Sequence, residues 1–309
     1  MVKQSPEFKF GAFLFNLFNV KNMLKKLLLT FIVCLFSSYS AGSERLAIVT
    51  SDWATAETLS MLGVTPIAIT QLRGYHIWTG NETPLGDAID IGLKPTPNLE
   101  LVADYNPTFI FGDNSILLQH ISEMAPTSNI SLYPFKENPW ESIINFTFDI
   151  AAQLNLLQEA ERVTAQASQK MAILREKIED KATPVLIAQF RDDRHAWVYG
   201  KNSLLQGVID ELGLTNAWDQ PTSDIGISLV SIDQLARTGG HLLIIESPAF
   251  QATIRNRLEN SGIWRVLISQ REGKITYLPA KYWPIGALPS ALRFADSLTT
   301  ALTDGGNGS

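Results

Sequence analysis

The histidines and acidic residues of this 309-residue chain do not form a common catalytic or metal-binding motif. Its four histidines lie far apart, without the HExxH spacing or the neighbouring thiols that protein-bound metals use. Asp192 and Asp193 form an acidic pair in a short polar segment, where carboxylates are usually solvated rather than catalytic. The serine-hydrolase elbow, the Walker phosphate loop and the dinucleotide-binding glycine motif are all absent. These observations disfavour metalloenzymes, serine hydrolases and nucleotide-dependent enzymes.

Tryptophan is the unusual residue type, because the chain contains seven. Trp53 follows the first predicted strand, Trp78 lies in a predicted loop flanked by glycines, and Trp283 precedes a proline. Ligands of doubly wound sheets bind beyond the carboxyl ends of the strands, so indoles at these positions could line a ligand cleft. The alternative for each tryptophan is ordinary packing beneath a loop.

The elements that would position these residues form two similar lobes. From residue 44 to about 140, apolar runs such as LAIVT (46–50), PIAIT (66–70) and TFIFG (108–112) alternate with amphipathic stretches, and a further strand is expected near 130–133. This rhythm predicts strands and helices of a parallel sheet. The same rhythm returns from 183 to 303. We therefore predict an α/β fold with two lobes and mainly parallel sheets.

Residues 141–182 are predicted to be helical and to connect the lobes. The segment from about 158 to 180 lacks glycine and proline, and its apolar residues recur every three or four positions, as a single buried stripe requires. A single long backbone helix between two lobes predicts a small hinge motion when a ligand binds. Residues 304–309 are rich in glycine and are expected to form a flexible tail.

The N-terminal 40 residues have the composition of a secretory signal peptide. Lys25 and Lys26 precede an apolar run at 27–36, and small polar residues follow. Translation could also begin at Met23. The single cysteine, Cys34, lies inside the apolar run, so cleavage would leave no thiol. The signal peptide predicts a periplasmic location, and the alternatives to its cleavage are an uncleaved anchor and a lipoprotein anchor at Cys34.

The charge of the remaining chain disfavours nucleic acid as a partner. Without residues 1–40 the chain has 20 basic and 30 acidic residues, a net charge of −10. Such a surface repels phosphate backbones, and the basic residues form no long cluster that would offset the repulsion.

Three segments resemble the periplasmic ferric-hydroxamate siderophore-binding proteins. They are DIGLKPTPNLELV (90–102), WVYGKNSLLQGVIDELGLTNAW (197–218) and LVSIDQLA (229–236). These proteins are ABC-importer substrate-binding proteins of the class III periplasmic binding protein type, with two α/β lobes joined by one long helix. The resemblance covers roughly residues 44 to 300. It implies a protein without enzymatic activity that captures a ferric siderophore and delivers it to an inner-membrane ABC permease.

The resemblance also implies ligand contacts in the cleft between the lobes. Trp53 and Trp78 match aromatic contacts of the first lobe. Lys94 stands where the family has a hydroxamate-binding arginine; it keeps the positive charge but loses the planar fork of donors. Asn114 and Ser115 stand where the family has a binding tyrosine. The contacts implied in the second lobe are Trp197, Tyr199, Ile225 in place of a tryptophan, Tyr282 and Trp283.

The chemistry of the implied ligand fits these residue types. A ferric tris-hydroxamate has an apolar organic shell and a few chelate oxygens, so it suits an aromatic bowl with one or two cationic donors. Lys94, with Arg73 or Arg191 in reserve, would donate to the oxygens. The iron would arrive already chelated, so neither a protein-built metal site nor a cofactor is expected.

Two other functions stay open at this point. The changes at Lys94 and at Asn114 and Ser115 could adapt the cleft to a ferric catecholate, haem or cobalamin. A secreted enzyme on the same two-lobe scaffold would need a nucleophile or an acid pair in the cleft. A monomer is expected, and the residues that dock the permease are not identified, because Gln206 stands where several relatives have a glutamate.

Overall fold

The computed structural model describes residues 46–80, 85–112, 120–136, 138–178, 183–246, 252–271 and 274–304. From Leu46 onward these residues form one compact unit, built from two five-stranded sheets with helices between and around them. None of the described helices is both long and apolar enough to cross a membrane. The predicted signal peptide lies outside the described residues.

The first sheet is entirely parallel, as the alternation of strands and helices predicts. Its strands are β1 (Ile48–Thr50), β2 (Ala68–Ile69), β3 (Ile89–Asp90), β6 (Phe109–Gly112) and β7 (Thr127–Asn129). Between β3 and β6 in the chain, β4 (Gly92–Leu93) and β5 (Thr96–Pro97) form a separate short hairpin. The helices of this half are α1 (Trp53–Met61), α2 (Leu72–Thr79) and α3 (Leu99–Asp104). The strand order is β3-β2-β1-β6-β7, so β1 is central and its carboxyl end opens onto α1.

Two helices, α4 (Pro139–Gln153) and α5 (Leu157–Glu176), follow the first sheet. The side chain of Asn138 caps α4 by accepting a hydrogen bond from the Trp140 N–H at 2.8 Å. The helix predicted at about 158–180 is α5, and at 20 residues it is about 30 Å long. Its buried stripe consists of Ala160, Val163, Ala167, Met171 and Leu174.

The second sheet is mixed. Its strands are β8 (Val185–Phe190), β9 (His195–Tyr199), β10 (Ile227–Ser231), β11 (His241–Glu246) and β12 (Ile275–Pro279). Its helices are α6 (Leu204–Glu211), α7 (Ile232–Arg237), α8 (Ala252–Glu259), α9 (Gly262–Arg271) and α10 (Leu288–Asp304). The order is β10-β9-β8-β11-β12, with β8, β11 and β12 parallel and β9 antiparallel to both of its neighbours.

One continuous hydrophobic core joins the two halves. It contains side chains from the inner faces of both sheets, such as Ile48 and Phe111 from the first and Ile187 and Leu243 from the second. The helices α1, α4, α5, α6 and α10 lie between the sheets and contribute the remaining members. Separate clusters cover the outer faces. The last helix also packs against α1, so the halves contact each other directly as well as through the connecting helices.

The edge strand of the first sheet differs from the prediction. The expected strand at 130–133 is wrong, because β7 occupies Thr127–Asn129 and pairs with β6 at Ile110 and Thr127. Its residues are polar, so hydrophobic periodicity could not reveal it. An edge strand tolerates such a sequence, because its position depends on backbone hydrogen bonds to a single neighbour.

Candidate ligand-binding cleft

Asp52 lies between the carboxyl end of β1 and the first residue of α1. Its Oδ2 accepts hydrogen bonds from the Thr55 backbone N–H at 2.8 Å and the Thr55 hydroxyl at 3.0 Å, so Asp52 is the N-cap of α1. Its Oδ1 lies 3.3 Å from the Nζ of Lys94, in the turn between β4 and β5. The Lys94 side chain is 38% exposed, so the ammonium is held at the carboxyl edge of the sheet and remains open to solvent.

Three tryptophans from both halves of the chain meet beside this edge. The Trp283 ring stands edge-on to Trp53, with centroids 5.1 Å apart, and edge-on to Trp78, with centroids 4.7 Å apart. The Trp53 indole N–H donates to the Thr70 carbonyl oxygen at 2.9 Å, which fixes the orientation of that ring. Edge-to-face packing of this kind is favourable for aromatic pairs. We call Trp53, Trp78 and Trp283 the tryptophan cluster; each ring is only partly buried.

The prediction that Trp78 lies in a loop is wrong, because Trp78 belongs to helix α2. This eight-residue helix is bounded by two residues with left-handed backbone, Gln71 with φ of 53° and Gly80 with φ of 62°. Gly80 marks the C-terminal end, where glycine adopts a positive φ without steric cost. The helix is too short for a clear periodic signal, which explains why the sequence did not reveal it.

A second aromatic surface lies on the sheet of the other half. Trp197 on β9 is partly exposed, and the Arg191 guanidinium carbon lies 4.1 Å from the centroid of its ring. This distance is typical of a cation–π contact. Leu229 on β10 pairs with Trp197 across the strands and is 62% exposed. Directly paired residues share a face, so Leu229 extends the apolar surface of Trp197.

Sequence reasoning overlooked Leu229. The residues around it do not show the strict alternation of polar and apolar residues that indicates a strand. The segment is equally compatible with a loop that leads into helix α7. The useful signal was its strand partner, since an exposed leucine beside an exposed tryptophan enlarges one apolar patch. That pairing is visible only in the folded sheet.

Two predicted contacts, Tyr199 and Tyr282, have fully covered rings. Tyr199 is 1% exposed and donates its hydroxyl to the Gln189 Oε1 at 2.7 Å. Tyr282 is 0% exposed and packs edge-on to Phe294 at 5.3 Å. Burial raises the pKa of both phenols. In this structure the two tyrosines therefore support the cleft from the core.

The remaining predicted contacts lie at separate places. Arg73 is exposed on another side of α2, beside a depression that His76, Ile77 and Asp90 also line. Ile225 is partly buried in the turn before β10. Asn114 and Ser115 lie outside the described residues.

A buried carboxylate connects the halves beneath the tryptophan cluster. Glu57 of α1 is 1% exposed and accepts hydrogen bonds from the Ser290 hydroxyl at 2.7 Å and from the Ala287 backbone N–H. The Arg293 guanidinium lies 3.0 Å away. Burial raises the pKa of Glu57, and the attraction of Arg293 and the hydrogen bonds offset this rise only in part. Glu57 thus satisfies the N-terminus of α10 from the opposite half.

Tyr133 adds a second link between the halves. Its hydroxyl donates to the Gly286 carbonyl oxygen at 2.7 Å. Burial raises its pKa, and the nearby carboxylates of Glu57 and Asp52 raise it further. Tyr133 therefore lies close to both acidic groups, so the Asp52–Lys94 pair and the buried Glu57 belong to one region.

The described residues offer no protein-built metal site, since nowhere among them do three His, Cys, Asp or Glu side chains come together around one point. The region instead combines the partly exposed indole faces of the tryptophan cluster with the Lys94 ammonium. Such a surface suits an organic ligand with a large apolar area and a few acceptor oxygens.

Comparison with known proteins identifies the family. Residues 48–282 match the family of periplasmic binding proteins, a span that includes both sheets. The chain belongs to the periplasmic binding protein family. This is a family of substrate-binding proteins rather than enzymes, and membership implies a periplasmic or other extracytoplasmic location.

Individual relatives agree with this assignment. The chain is 30% identical to the iron(3+)-hydroxamate-binding protein FhuD of Escherichia coli (strain K12) over 274 residues, or 86% of this chain and 90% of that protein. The siderophore-binding protein FhuD of Vibrio cholerae, solved with Fe3+-Desferal, matches with a TM-score of 0.75 at 22% identity over 85% of this chain and 99% of that chain. The triscatecholate siderophore-binding protein FeuA of Bacillus subtilis, solved with ferri-bacillibactin, matches with a TM-score of 0.65 at 18% identity over 86% and 95%. The predicted family resemblance and two-lobe α/β fold are confirmed.

Proposed function

We propose that this protein captures a ferric siderophore of the hydroxamate type and delivers it to an inner-membrane ABC importer for iron uptake. The observation that carries the proposal is the tryptophan cluster with the Lys94 ammonium at the same sheet edge. Indole faces cover an apolar organic shell, and an ammonium donates to chelate oxygens. The 30% identity to an iron(3+)-hydroxamate-binding protein supports this ligand class.

The protein acts on its ligand by binding and release, without catalysis. Iron arrives as a preformed complex, so the protein needs neither its own metal ligands nor a cofactor. The exposed surfaces on the two halves supply the binding energy by covering the organic shell. The proposed contacts are Trp53, Trp78, Lys94, Trp197, Leu229 and Trp283, with Arg73, Asn114, Ser115 and Ile225 as further predicted contacts.

The proposal includes the route to the periplasm and the partner there. Residues 1–40 act as the signal peptide, and the protein works as a monomer that docks on the permease. A net charge of −10 without those residues favours rapid encounter with a basic partner, because charge complementarity raises association rates.

Tryptophan fluorescence of the protein lacking residues 1–40 tests the proposal. The ligands are a ferric tris-hydroxamate, its iron-free form, a ferric triscatecholate and cobalamin. We expect saturable quenching by the ferric hydroxamate at about micromolar or lower concentration. Quenching by the catecholate or cobalamin alone would overturn the hydroxamate assignment and favour another ligand of the same transport class. Conversion of any of these ligands to a product would favour an enzyme instead.

A variant of Trp283 tests directly whether the tryptophan cluster binds the ligand. Trp283→Leu removes the ring that contacts both Trp53 and Trp78, and we expect at least about tenfold weaker binding, equivalent to about 1.4 kcal/mol. Tyr105→Leu is the matched control. Tyr105 is 40% exposed and lies between α3 and the amino end of β6, whereas the tryptophan cluster lies at the carboxyl ends of the strands. Equal affinity of both variants and the unchanged protein would contradict the proposed site.

A further inference from the structure

Asp52 performs two tasks with its two carboxylate oxygens. Oδ2 caps α1 through Thr55, and Oδ1 lies 3.3 Å from the Lys94 ammonium. The Asp52 side chain is only 18% exposed, so its position is fixed by the helix it caps. The cation at the cleft therefore has a negative charge built beside it.

A second charged segment, which follows the carboxyl end of β8, is balanced in the same way. The turn from Arg191 to His195 contains two arginines and two aspartates, and Asp192 also lies 3.1 Å from the Nδ1 of His195. Arg191 itself lies over the Trp197 ring. The two arginines and two aspartates of this turn balance each other, as Lys94 and Asp52 do.

We propose that Asp52 is a specificity-determining residue whose carboxylate neutralises Lys94, so that the cleft selects ferric complexes that have no net negative charge. This inference rests on the proposed function. It assigns to Asp52 a role in ligand choice in addition to its local role as a helix cap.

The chemistry of the two main siderophore classes makes the distinction large. Three hydroxamates contribute three negative charges, which balance Fe3+ and leave a neutral chelate core. Three catecholates contribute six negative charges and leave a core of three negative charges. A carboxylate fixed at the cleft repels the second core and leaves the first nearly unaffected. Charges about 7 Å apart in a water-like medium interact strongly enough to change the affinity for a triply charged core by about tenfold.

Asp52→Asn is the informative substitution. Asparagine is as good an N-cap as aspartate, so the variant keeps the cap of α1 while losing the negative charge. Asp104→Asn is the matched control, because it changes the net charge by the same amount. Asp104 is exposed at the end of α3, before the amino end of β6, whereas Asp52 follows the carboxyl end of β1. Lys94→Gln removes the positive charge of the same Asp52–Lys94 pair.

The measurement is the ratio of the dissociation constants for ferrioxamine B and ferri-bacillibactin, taken by fluorescence quenching at low salt. We expect Asp52→Asn to shift this ratio about tenfold toward the catecholate, Lys94→Gln to shift it the other way, and Asp104→Asn to leave it within about twofold. The shifts shrink at high salt.

Two outcomes would overturn the inference: equal ratios for Asp52→Asn and the unchanged protein, or equal shifts for Asp52→Asn and Asp104→Asn. Thermal melts of each variant verify that it is folded, and Asp52→Ser, which also keeps an N-cap without the charge, keeps the test decisive if Asp52→Asn does not fold. Binding of neither ferric complex by the unchanged protein would overturn the proposed function itself, a result distinct from unchanged ratios.

Discussion

Glu57 of α1 and Ser290 of α10 are hydrogen-bonded at 2.7 Å although 233 residues separate them along the chain. The bond places a carboxylate of one half at the start of the last helix of the other. With Arg293 at 3.0 Å and the Tyr133 bond to Gly286, it joins the halves directly beneath the tryptophan cluster. The relative position of the two proposed ligand surfaces thus depends on this buried contact as well as on α5.

Removal of Arg293 is expected to destabilise the fold in a pH-dependent manner. Arg293→Met leaves the Glu57 carboxylate buried without its cation, at a cost of about 3 to 5 kcal/mol at pH 7. The cost shrinks toward acid pH, where Glu57 becomes protonated. Urea denaturation at several pH values measures this. Arg265→Met, on the exposed face of α9, is the control; equal losses for both variants would contradict the role of the pair.

The raised pKa of Glu57 predicts a stability component that decreases with pH. An unfolded glutamate ionises near 4.5, whereas the folded group retains its proton to higher pH. Between the two pKa values the folded state binds more protons than the unfolded state, so the free energy of unfolding falls as pH rises through that window. Glu57→Gln lacks this component. Parallel curves of unfolding free energy against pH for the two proteins, from about pH 4 upward, would contradict the prediction.

Leu229 is expected to contribute to binding and little to stability. Leu229→Asp places a charge on the exposed surface beside Trp197, and we expect affinity for a ferric hydroxamate to fall by about tenfold. The free energy of unfolding should change by less than about 0.5 kcal/mol. Ile173→Asp, at a residue 48% exposed on α5, should change neither quantity appreciably. Unchanged affinity in the Leu229 variant would exclude this surface from the ligand site.

Gly226 is expected to tolerate no side chain. Its φ is 75°, and a Cβ there would lie 2.1 Å from the Ser203 backbone nitrogen, at the start of α6. Gly226→Ala should therefore cost about 3 kcal/mol or more, measured by urea denaturation. Gly239→Ala is the control, since a Cβ on Gly239 would meet nothing within 4 Å and its φ lies outside the left-handed region. Similar losses for both variants would contradict the packing argument.

Local patterns were sufficient for most regular elements. The strand at Val185–Phe190 is a run of apolar residues, and α5 has a buried stripe without glycine or proline, so the sequence predicted both. The motif segments at 90–102 and 197–218 likewise indicated the family. The sequence patterns did not predict short or polar elements. Helix α2 has only eight residues, and β7 is an edge strand made of polar residues.

The amino-acid sequence by itself determined the α/β class, the family and the residue types available for a ligand. The tertiary structure decided which of them meet. Trp283 joins Trp53 and Trp78, while Tyr199 and Tyr282 turn into the core, and no local pattern distinguishes these cases. The physical reason is that periodicity reports short-range burial along one element. The contacts of Glu57 with α10 and of Leu229 with Trp197 arise only when distant segments pack together.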